Sequence, residues 1–486
     1  MRSYLKFAKQ TLIMGTLSVL GALQGITFLP IITKVLGAQN YGIWVQVQIT
    51  MSLLVPLTFF GLGESLGRFL PGEKDQKKIR EGVYSSLVFV LGVNVILALC
   101  LIVFSSPASV FLRFSSMFVK LLAFIIIFES LNTVMLTAVL FKREIRKYFW
   151  FAVLKMFGET GLVVGAIFLG YGLSGAVFAF LLIRIIIFLV LFMFLVKKIG
   201  IAFPDFSLIP GYLRYGLPTI TNGLAYGAVT SADRYVIGFF LGVLFVGYYA
   251  PAYSLGMLLL FFIIPMISIL SVVLPKFYDE NNFQAVKSHL SHSLKYFLLI
   301  MTPAAFGLSV LSRQLLTIFS TKEIANNAWP VVPFIAASML AYGLMLLFLI
   351  ILNLAKKTKI VARVWVASAL LNIILNLVFT PLFGIISAAV ITLVSYLCAF
   401  MLMWHFAYRE FQFDIDWYFI AKSFSASLAM ALGIMWFGPV GLFDAILSIV
   451  LGALAYGVLM FLLGGIGKKE IIFLKQLTHE MVFSNK

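Results

Sequence analysis

Two charged residues lie side by side within an otherwise apolar stretch of the chain. The segment TSADRYVIGFF, residues 230–240, places Asp233 directly before Arg234. A charged side chain near the centre of a lipid bilayer costs roughly 2.5 to 3.5 kcal/mol on insertion scales, so it usually faces a protein interior or a watery cavity. An arginine in such a cavity suits a phosphate, and a carboxylate suits a proton or a sodium ion. Asp233 and Arg234 are therefore candidates for ligand or ion binding.

Further charged side chains occur inside the long apolar stretches, and two pairs of them are spaced four residues apart. Glu64 and Arg68 can share one helix face, as can Lys155 and Glu159. The first pair forms either a local salt bridge or, with Arg68 facing a cavity, part of a binding surface. The second pair belongs to a group for which we expect a buried structural charge network, with substrate or proton handling as the alternative. The group consists of Glu129, Lys155, Glu159 and Arg184.

A stripe of polar residues precedes the Asp233 position at helical spacing. Steps of three or four residues put all its members on one helix face. The stripe is either a helix-packing surface or the wall of a hydrated cavity, and its mixture of polar groups favours the cavity. Its members are Thr219, Asn222, Tyr226, Thr230 and Asp233. Asn222 and Tyr226, together with Tyr249 in the next apolar stretch, are candidate contacts for a polar headgroup.

No constellation typical of an enzyme or a metal site emerges. The four histidines fall in predicted loops, tails or a helix end, and the phosphate-binding pattern GxxxxGK[ST] is absent from the sequence. The two cysteines, Cys100 and Cys398, lie inside apolar stretches, which argues against a disulfide framework or a thiolate metal site. We therefore expect a protein that is not an enzyme and that holds neither a metal nor an organic cofactor.

The composition identifies the elements that must position these residues. The mean hydropathy is +1.07 and only 11% of the 486 residues are charged, far less than a soluble surface needs. Apolar stretches of about 20 residues recur from end to end, each long enough to cross a hydrocarbon core of roughly 30 Å as a helix. We count fourteen of them. The chain is predicted to be an all-α polytopic membrane protein.

The net charge of +18 follows from membrane topology rather than from nucleic-acid binding. With a cytoplasmic N-terminus, 28 of the 36 Lys and Arg residues fall in cytoplasmic loops, tails or adjacent helix ends. This excess follows the positive-inside rule, so both termini are expected in the cytoplasm, with anionic lipid headgroups nearby. Lys34 lies on the other side, near the outer mouth of a cavity. Tryptophans at predicted helix ends fit an interfacial belt: Trp44, Trp150, Trp329, Trp404 and Trp417.

The chain contains an internal repeat of a six-helix unit. An offset of 205 residues brings Gly37 onto Gly242, and an offset of 212 brings Gly172 onto Gly384. Six spans separate the copies, so both have one orientation and form two parallel lobes, as in many secondary transporters. The predicted parts are an N-terminal lobe at 1–196, a cytoplasmic connection at 197–214, a C-terminal lobe at 215–406, two additional helices at 407–463 and a cytoplasmic tail at 464–486.

Several motifs resemble a known family of membrane exporters. The segments are KFAKQTL, KVLGAQNYGIW and GLGESLGRFLP in the first lobe, then YLRYGLPTITNGL and SADRYVIGFFLGVLFVGYYAPAYSL in the second. In this order they resemble the Wzx-type polysaccharide-transport flippases of the multidrug/oligosaccharidyl-lipid/polysaccharide (MOP) exporter superfamily. The resemblance extends over essentially the whole chain.

The resemblance implies two six-helix lobes around a cavity lined by helices one, two, seven and eight, with two extra C-terminal helices. It also implies export of a polyprenyl-diphosphate-linked oligosaccharide for surface polysaccharide biosynthesis, in the plasma membrane of a prokaryote. Family members use basic cavity residues toward the lipid diphosphate, and Arg234, Arg68 and Lys34 suit that role in this chain. Helix eight carries tyrosines but no lysine or arginine within its predicted span, which argues against a multi-arginine phosphate clamp.

We therefore expect a flippase that works by alternating access without covalent chemistry. Its expected partners are the lipid-linked glycan, membrane lipid and polysaccharide assembly proteins. One alternative is an ion-coupled multidrug or metabolite antiporter of the same superfamily. Another is a membrane-embedded glycan polymerase or ligase, which would normally have a substantial outer loop. H+ and Na+ are the candidate coupling ions, and the candidate carboxylates are Glu64, Glu129, Glu159 and Asp233.

Overall fold

The fold is known from a computed structural model. It describes residues 2–73, 75–141 and 144–465, and no strand occurs among them. Most of the predicted tail therefore lies outside the described residues. Side chains within the described ranges are also left undescribed at 2–12, 22, 218, 219, 221–226 and 228.

The described part of the chain forms α-helices joined by short turns. Two short 3₁₀ segments, Leu70–Gly72 and Phe206–Leu208, and one π-helical turn, Ile167–Tyr171, lie between them. The α-helices are α1 (Arg2–Phe59), α2 (Leu62–Phe69), α3 (Gln76–Val103), α4 (Ser105–Leu112), α5 (Ser116–Phe141), α6 (Ile145–Ala166), α7 (Gly172–Ile199), α8 (Ile209–Phe240), α9 (Val243–Met257), α10 (Leu260–Asp279), α11 (Phe283–Val310), α12 (Ser312–Phe319), α13 (Lys322–Ala328), α14 (Val331–Leu354), α15 (Thr358–Glu410), α16 (Trp417–Phe437) and α17 (Leu442–Leu462).

The helices account for the predicted number of membrane crossings. Ten helical stretches among the described residues are long and apolar enough to cross a membrane. Three of them, Ile13–Phe59, Ile145–Ile199 and Thr358–Glu410, are interrupted by a bend and are long enough for two crossings each. α8, with 32 residues and a more polar composition, adds the fourteenth. The predicted all-α polytopic membrane fold is confirmed.

Glycines with positive φ lie at the turns that relate the two repeated units. Gly37 (φ 74°) bends α1 between its two crossings, and Gly242 (φ 101°) occupies the matching turn between α8 and α9. Gly172 (φ 55°) and Gly384 (φ 73°) form the second matching pair. A residue with a side chain pays roughly 1 to 2 kcal/mol in this left-handed region, whereas glycine does not. The glycine offsets found in the sequence therefore correspond to equivalent turns in the two units.

The predicted eighth span, 245–272, is broken in the structure into α9 and α10. The N–H groups of Leu258 and Leu259 donate to carbonyls three residues back, at 3.1 and 3.3 Å, so the chain tightens between the two helices. Pro265 contributes to the break because it lacks the N–H that the carbonyl of Phe261 would otherwise accept. Helix eight is thus two segments rather than one straight crossing.

The chain divides by packing into two compact units. This division is independent of the repeat, and the lobe boundaries given above stay a prediction. The first unit comprises Met1–Pro251, Phe319–Ala328 and Ala362–Ser395, and the second comprises Ala252–Ile318, Trp329–Val361 and Tyr396–Lys486.

The core of the first unit is formed where α2, α3, α5 and α7 meet. Leu62 and Leu66 of α2 are fully buried there, as are Val134 of α5 and Ile187 of α7. Trp44 is also in this unit and is 1% exposed, with its ring 4.9 Å from that of Phe180. Its assignment to an interfacial belt is therefore wrong, because the amphipathic ring is enclosed by α7 instead of lying at a membrane surface.

The core of the second unit is formed by α11, α14, α16 and α17. Gly343 of α14 lies against the ring of Phe297 of α11, so closely that a methyl group at this position would displace the ring. On α16, the hydroxyl of Ser423 lies 2.9 Å from that of Tyr456 on α17, and both are buried. Hydroxyl groups buried in apolar surroundings need such partners, so this bond fixes the packing of α16 against α17.

Candidate functional site

The candidate site lies at the C-terminal end of α8, within the first unit. Asp233 is fully buried and Arg234 is 9% exposed. This end of α8 leads into the Gly242 turn, which meets the bend of α1 at Gly37. We call this region, residues 34–42 and 233–247, the Gly37 end of the unit. Residues 61–69 and 212–216 form its opposite, Gly61 end.

The carboxylate of Asp233 joins α8 to α9. The phenol O–H of Tyr249 donates to Oδ2 of Asp233 at 2.6 Å, and the backbone N–H of Arg234 donates to Oδ1 at 2.7 Å. Tyr249 is itself fully buried. The sequence predicted Tyr249 as a headgroup contact, and in this conformation its hydroxyl holds a carboxylate instead.

The side chain of Arg234 runs back along α8 toward α1. Its Nη1 donates to the carbonyl oxygen of Thr230, one helical turn earlier, at 2.8 Å. The guanidinium also lies close enough to the buried Tyr41 of α1 for an electrostatic interaction. The sequence analysis expected that Asp233 and Arg234 need not pair, and the recorded bonds take their side chains to different partners.

The second crossing of α1 covers the same end of α8. Gln46 is 1% exposed, and its side-chain amide fills the space beside Gly238, where a methyl group would overlap the amide nitrogen. Its Oε1 is buried without a recorded hydrogen-bond partner among the described residues. A buried unsatisfied amide oxygen costs about 1 to 3 kcal/mol, so this contact is one that the protein can exchange for water or ligand.

The backbones of α1 and α9 touch at the Gly37 end. A methyl group added to Gly42 would overlap the carbonyl oxygen of Val243, and one added to Gly247 would overlap the carbonyl oxygen of Ala38. The two glycines are equivalent positions of the repeat, 205 residues apart. Only residues without a Cβ allow this approach, and the contact closes the helices against each other.

A second close contact lies at the Gly61 end. Methyl groups added to Gly61 or Gly216 would each overlap the backbone of the other glycine. Next to this pair, the hydroxyl of Ser65 donates to the carbonyl oxygen of Tyr212 at 2.6 Å, and the rings of Tyr212 and Phe69 stack at 5.2 Å. The α1–α2 and α8–α9 segments are therefore closed against each other at both ends.

The predicted cationic residues do not form one cluster. Lys34 is exposed at the Gly37 end, whereas Arg68 is exposed at the Gly61 end, in the last turn of α2. Tyr212, which packs against α2, precedes Arg234 by 22 residues, so about 33 Å of helix separates the two ends at about 1.5 Å per residue. One phosphate group cannot contact Arg68 and Arg234 at the same time.

Glu64 and Arg68 are both exposed, in the first and last turns of α2. No ion pair between these two described residues is recorded at 4.0 Å or less. The local salt bridge considered from their spacing does not form in this conformation, which leaves Arg68 available at the surface of the Gly61 end.

The four mid-membrane charges of α5, α6 and α7 do come together, and we call them the α5–α7 cluster. Glu129 of α5 binds Lys155 of α6, and its Oε2 lies 3.1 Å from Nε of Arg184 in α7. Glu159 pairs with Arg184 at 3.4 Å, not with Lys155 as the four-residue spacing suggested. Arg184 is 2% exposed and also donates to the carbonyl of Phe180 at 2.8 Å.

A row of buried polar residues in α15 was missed by the sequence analysis. Nδ2 of Asn376 donates to the carbonyl of Asn372 at 2.9 Å, and the hydroxyl of Thr380 donates to Oδ1 of Asn376 at 2.8 Å. Asn372 in turn donates to the hydroxyl of Ser395 at 3.2 Å. All four side chains are fully buried. The spacing of four residues within an apolar stretch was the available signal.

Two predicted headgroup contacts cannot be placed. The side chains of Asn222 and Tyr226 lie outside the described residues, as does that of Thr219. Their backbone is helical and belongs to the part of α8 between the Gly61 and Gly37 ends. The predicted polar wall therefore stays a prediction over this part of the helix.

Fourteen crossings, two repeated units and a buried charge pair on a helix closed at both ends define a polytopic transporter. The chain belongs to the polysaccharide biosynthesis protein family, whose model matches residues 7–280. A second family model, MatE, matches residues 218–378. The resemblance to the polysaccharide-transport branch of the MOP superfamily is thereby confirmed.

Solved structures with similar folds support this assignment. A structure described as "Lipid II flippase MurJ, inward closed conformation" superposes with a TM-score of 0.75, covering 92% of this chain and 98% of that one at 18% identity. An outward-facing multidrug resistance MATE family transporter of the MOP superfamily gives a TM-score of 0.54, covering 82% and 93% at 16% identity. At these identities the likeness concerns the fold.

A curated relative comes from Haloferax volcanii. The "Probable low-salt glycan biosynthesis flippase Agl15" of that organism is 25% identical over 250 residues. The matched region covers 50% of this chain and 52% of the relative, so the match spans about half the length of each protein.

Proposed function

We propose that this protein is a flippase that moves a polyprenyl-diphosphate-linked oligosaccharide from the cytoplasmic to the outer leaflet of a prokaryotic plasma membrane, for surface polysaccharide biosynthesis. The observation that carries the proposal is a buried arginine, Arg234, on a helix closed against α1 and α2 at both ends. The family assignment and the names of the flippases similar to this chain support it.

The physical task explains why a polar helix is needed inside the membrane. An oligosaccharide carries many hydroxyl groups, and each would lose its hydration at a cost of several kcal/mol if it crossed lipid unaided. The diphosphate is anionic and is costlier still. The prenyl tail needs no such help because it is already apolar. A pathway lined by α8 would hold the headgroup while the tail remains in lipid.

The two glycine contacts are suited to alternating access. Opening the Gly61 end while the Gly37 end stays closed would admit the headgroup from one side, and the reverse would release it on the other. The positive-inside rule assigns the Gly61 end to the cytoplasm and the Gly37 end to the outer side, with both termini cytoplasmic. Each state needs only one contact broken, because the contacts lie about 33 Å apart along the 22 residues from Tyr212 to Arg234.

Arg234 is the proposed diphosphate contact near the outer side. Its fork of N–H donors matches phosphate oxygens, which a lysine would bind only as a point charge. Arg68, exposed at the cytoplasmic end, is proposed as the first contact and Lys34 as a further contact near the outer mouth. The headgroup would meet these cations in succession, since they do not cluster.

An ion-coupled multidrug or metabolite antiporter is the second candidate. The MatE match over 218–378 and the MATE structural neighbour favour it. Asp233 and the α5–α7 cluster would then supply carboxylates for H+ or Na+. Ion coupling is also compatible with the flippase, because moving one charge across the membrane potential is worth about 2.3 kcal/mol per 100 mV. Polysaccharide assembly proteins are proposed partners only of the flippase.

The experiment that tests the flippase proposal is a complementation assay with Arg234→Ala. In a host lacking its own glycan flippase, we expect surface glycan to fall about tenfold or more, because a charge-assisted bond worth about 1.5 to 3 kcal/mol is lost. Arg234→Lys, which keeps the charge without the fork, should give an intermediate level.

The matched control is Arg363→Ala, at an exposed position of α15. It removes one arginine without touching α8 and should leave surface glycan unchanged. Membrane abundance of each variant is measured by immunoblot. Normal glycan display by Arg234→Ala at normal abundance would reject the proposal.

A further inference from the structure

A cavity separate from the candidate translocation site lies within the second unit, where α11 passes the start of α16. Its volume is about 240 Å³. At roughly 30 Å³ per water molecule in the liquid, this is space for about eight waters. The cavity is therefore large enough for a small polar headgroup and too small for a complete lipid or an oligosaccharide.

The cavity is lined by charges of both signs on opposite sides. His292 and Lys295 come from α11, whereas Asp414 and Asp416 come from the segment that precedes α16. Nδ1 of His292 lies 2.7 Å from the carbonyl of Ser288 and must donate to it, which leaves Nε2 directed elsewhere. Two cationic or polar donors thus face two carboxylates across one small space.

The geometry of the acidic side is fixed by hydrogen bonds that do not use all of its oxygens. Oδ1 of Asp416 accepts from the backbone N–H of Phe419 at 2.9 Å and caps α16. The carbonyl of Asp414 accepts from the hydroxyl of Ser291 at 2.7 Å, so its exposed carboxylate is not part of the bond that ties the segment to α11. Both residues keep carboxylate oxygens that can meet a ligand.

The floor of the cavity is apolar. Leu294, Leu298 and Phe419 line it and are buried. The ammonium of Lys295 lies 5.0 Å from the ring centroid of Phe419, within the range of a cation–π contact. A ligand with an apolar portion beside a charged head fits this combination better than a fully hydrophilic one.

The mouth of the cavity lies where a membrane crossing begins. α16 is one of the candidate spans, and its first two residues, Trp417 and Tyr418, are 62% and 73% exposed. Exposed tryptophan and tyrosine at the start of a span are typical of the level of the lipid headgroups. The charged cavity is therefore positioned at the depth at which lipid headgroups are found.

We propose that this cavity binds the headgroup of an aminophospholipid such as phosphatidylethanolamine. Lys295 and His292 contact the phosphate, and Asp414 and Asp416 accept from the primary ammonium. An anionic lipid without an amine would place its phosphate near two uncompensated carboxylates. Phosphatidylcholine has no N–H to donate, so it satisfies neither carboxylate. The site is independent of the proposed transport substrate.

The test is native mass spectrometry of the full-length protein incubated with equal amounts of phosphatidylethanolamine, phosphatidylcholine and phosphatidylglycerol. The wild type should retain phosphatidylethanolamine about tenfold over the other two, as expected for the charge-assisted bonds to its ammonium. Asp414→Asn should abolish this preference without unfolding the segment, since the bond to Ser291 uses the backbone. Lys295→Met should lower the retention of all three lipids, which share the phosphate.

The matched control is Asp279→Asn, an exposed carboxylate at the end of α10. It should leave the lipid preference unchanged. Equal retention of the three lipids by the wild type, or an unchanged preference in Asp414→Asn, would overturn the proposal. Displacement of the lipid by inorganic phosphate as readily as by phosphoethanolamine would also overturn it, because the cavity would then be a phosphate site.

Discussion

The two buried charged regions of the first unit differ in how their charges are compensated. In the α5–α7 cluster, two carboxylates and two cations contact one another across three helices. On α8, Asp233 is held by a phenol and a backbone N–H, and the recorded bond of Arg234 is to a backbone carbonyl. One region is a set of ion pairs of balanced charge, and the other is held by neutral groups.

This difference separates a structural role from a ligand-binding role. Breaking a buried ion pair leaves an uncompensated charge in the protein, so the α5–α7 cluster is expected to stay intact through a transport cycle. A bond from a guanidinium to a backbone carbonyl is easier to exchange for a phosphate, because the carbonyl is neutral and the phosphate is not. We therefore place the substrate contact at Arg234 and the structural support at Arg184.

The largest expected effect is on folding and comes from Arg184→Met. This substitution leaves Glu129 and Glu159 without their shared cation, so we expect a loss of about 3 to 5 kcal/mol in the free energy of unfolding. Thermal unfolding in detergent measures it. Lys198→Met, at the exposed end of the same helix, should change stability by about 1 kcal/mol or less. Equal midpoints for both variants would show that the cluster is not structural.

The next effect is on the carboxylate of α8 and comes from Tyr249→Phe. Without the phenol hydroxyl, Oδ2 of the buried Asp233 loses its recorded partner, at an expected cost of about 1.5 to 3 kcal/mol. The same unfolding measurement reports it. Tyr171→Phe, at a position 68% exposed, serves as the control. A midpoint for Tyr249→Phe that matches the control would remove the proposed link between α8 and α9.

A third prediction concerns which end of α8 opens. An added methyl group at Gly42 or at Gly61 should disfavour closure of its own end, by about 1 to 3 kcal/mol as for other overpacked contacts. Gly42→Ala should therefore increase the outer accessibility of a cysteine placed at residue 230, and Gly61→Ala its cytoplasmic accessibility. An impermeant maleimide applied to each side of oriented vesicles measures both.

The control for this pair is Gly92→Ala on α3, where an added methyl group meets no other atom within 4 Å. Labelling in that variant should match the parent from both sides. Shifts in the same direction for Gly42→Ala and Gly61→Ala would contradict the assignment of separate gates.

The smallest effect on stability is expected from Arg68→Ala. Its side chain is exposed and makes no recorded ion pair with Glu64, so the unfolding free energy should change by about 1 kcal/mol or less. Transport should decline because the first phosphate contact is lost, but less than in Arg234→Ala. Destabilisation comparable to that of Arg184→Met would show that Arg68 has a structural partner in another conformation.

Much of the fold could be predicted from the sequence because it rests on local constraints. Apolar length sets the number of crossings, and positive φ requires glycine at turns such as Gly37 and Gly242. The same local rules failed at the eighth span, where hydropathy does not distinguish a straight helix from one broken near Pro265. Trp44 was misplaced because its position at a helix end does not reveal that Phe180 of another helix covers it.

The site was only partly predictable because its partners come from different helices. Spacing suggested that Lys155 pairs with Glu159, whereas in the structure Lys155 binds Glu129 of α5. Nothing local to one helix shows which carboxylate of a neighbouring helix is nearer. The residues with buried charge were found correctly, since charge in an apolar stretch is visible in the sequence, but their pairing depends on packing.

The central claim is that the chain moves a lipid-linked oligosaccharide between leaflets. The most direct measurement uses purified protein in vesicles that carry a fluorescent polyprenyl-diphosphate oligosaccharide, with a glycosidase outside as the probe of exposed glycan. We predict that wild-type protein makes the protected half of the glycan accessible with time, and that Arg234→Ala does so much more slowly. Protection that persists with active wild-type protein, alongside ion-driven exchange of small cations or drugs, would contradict the account.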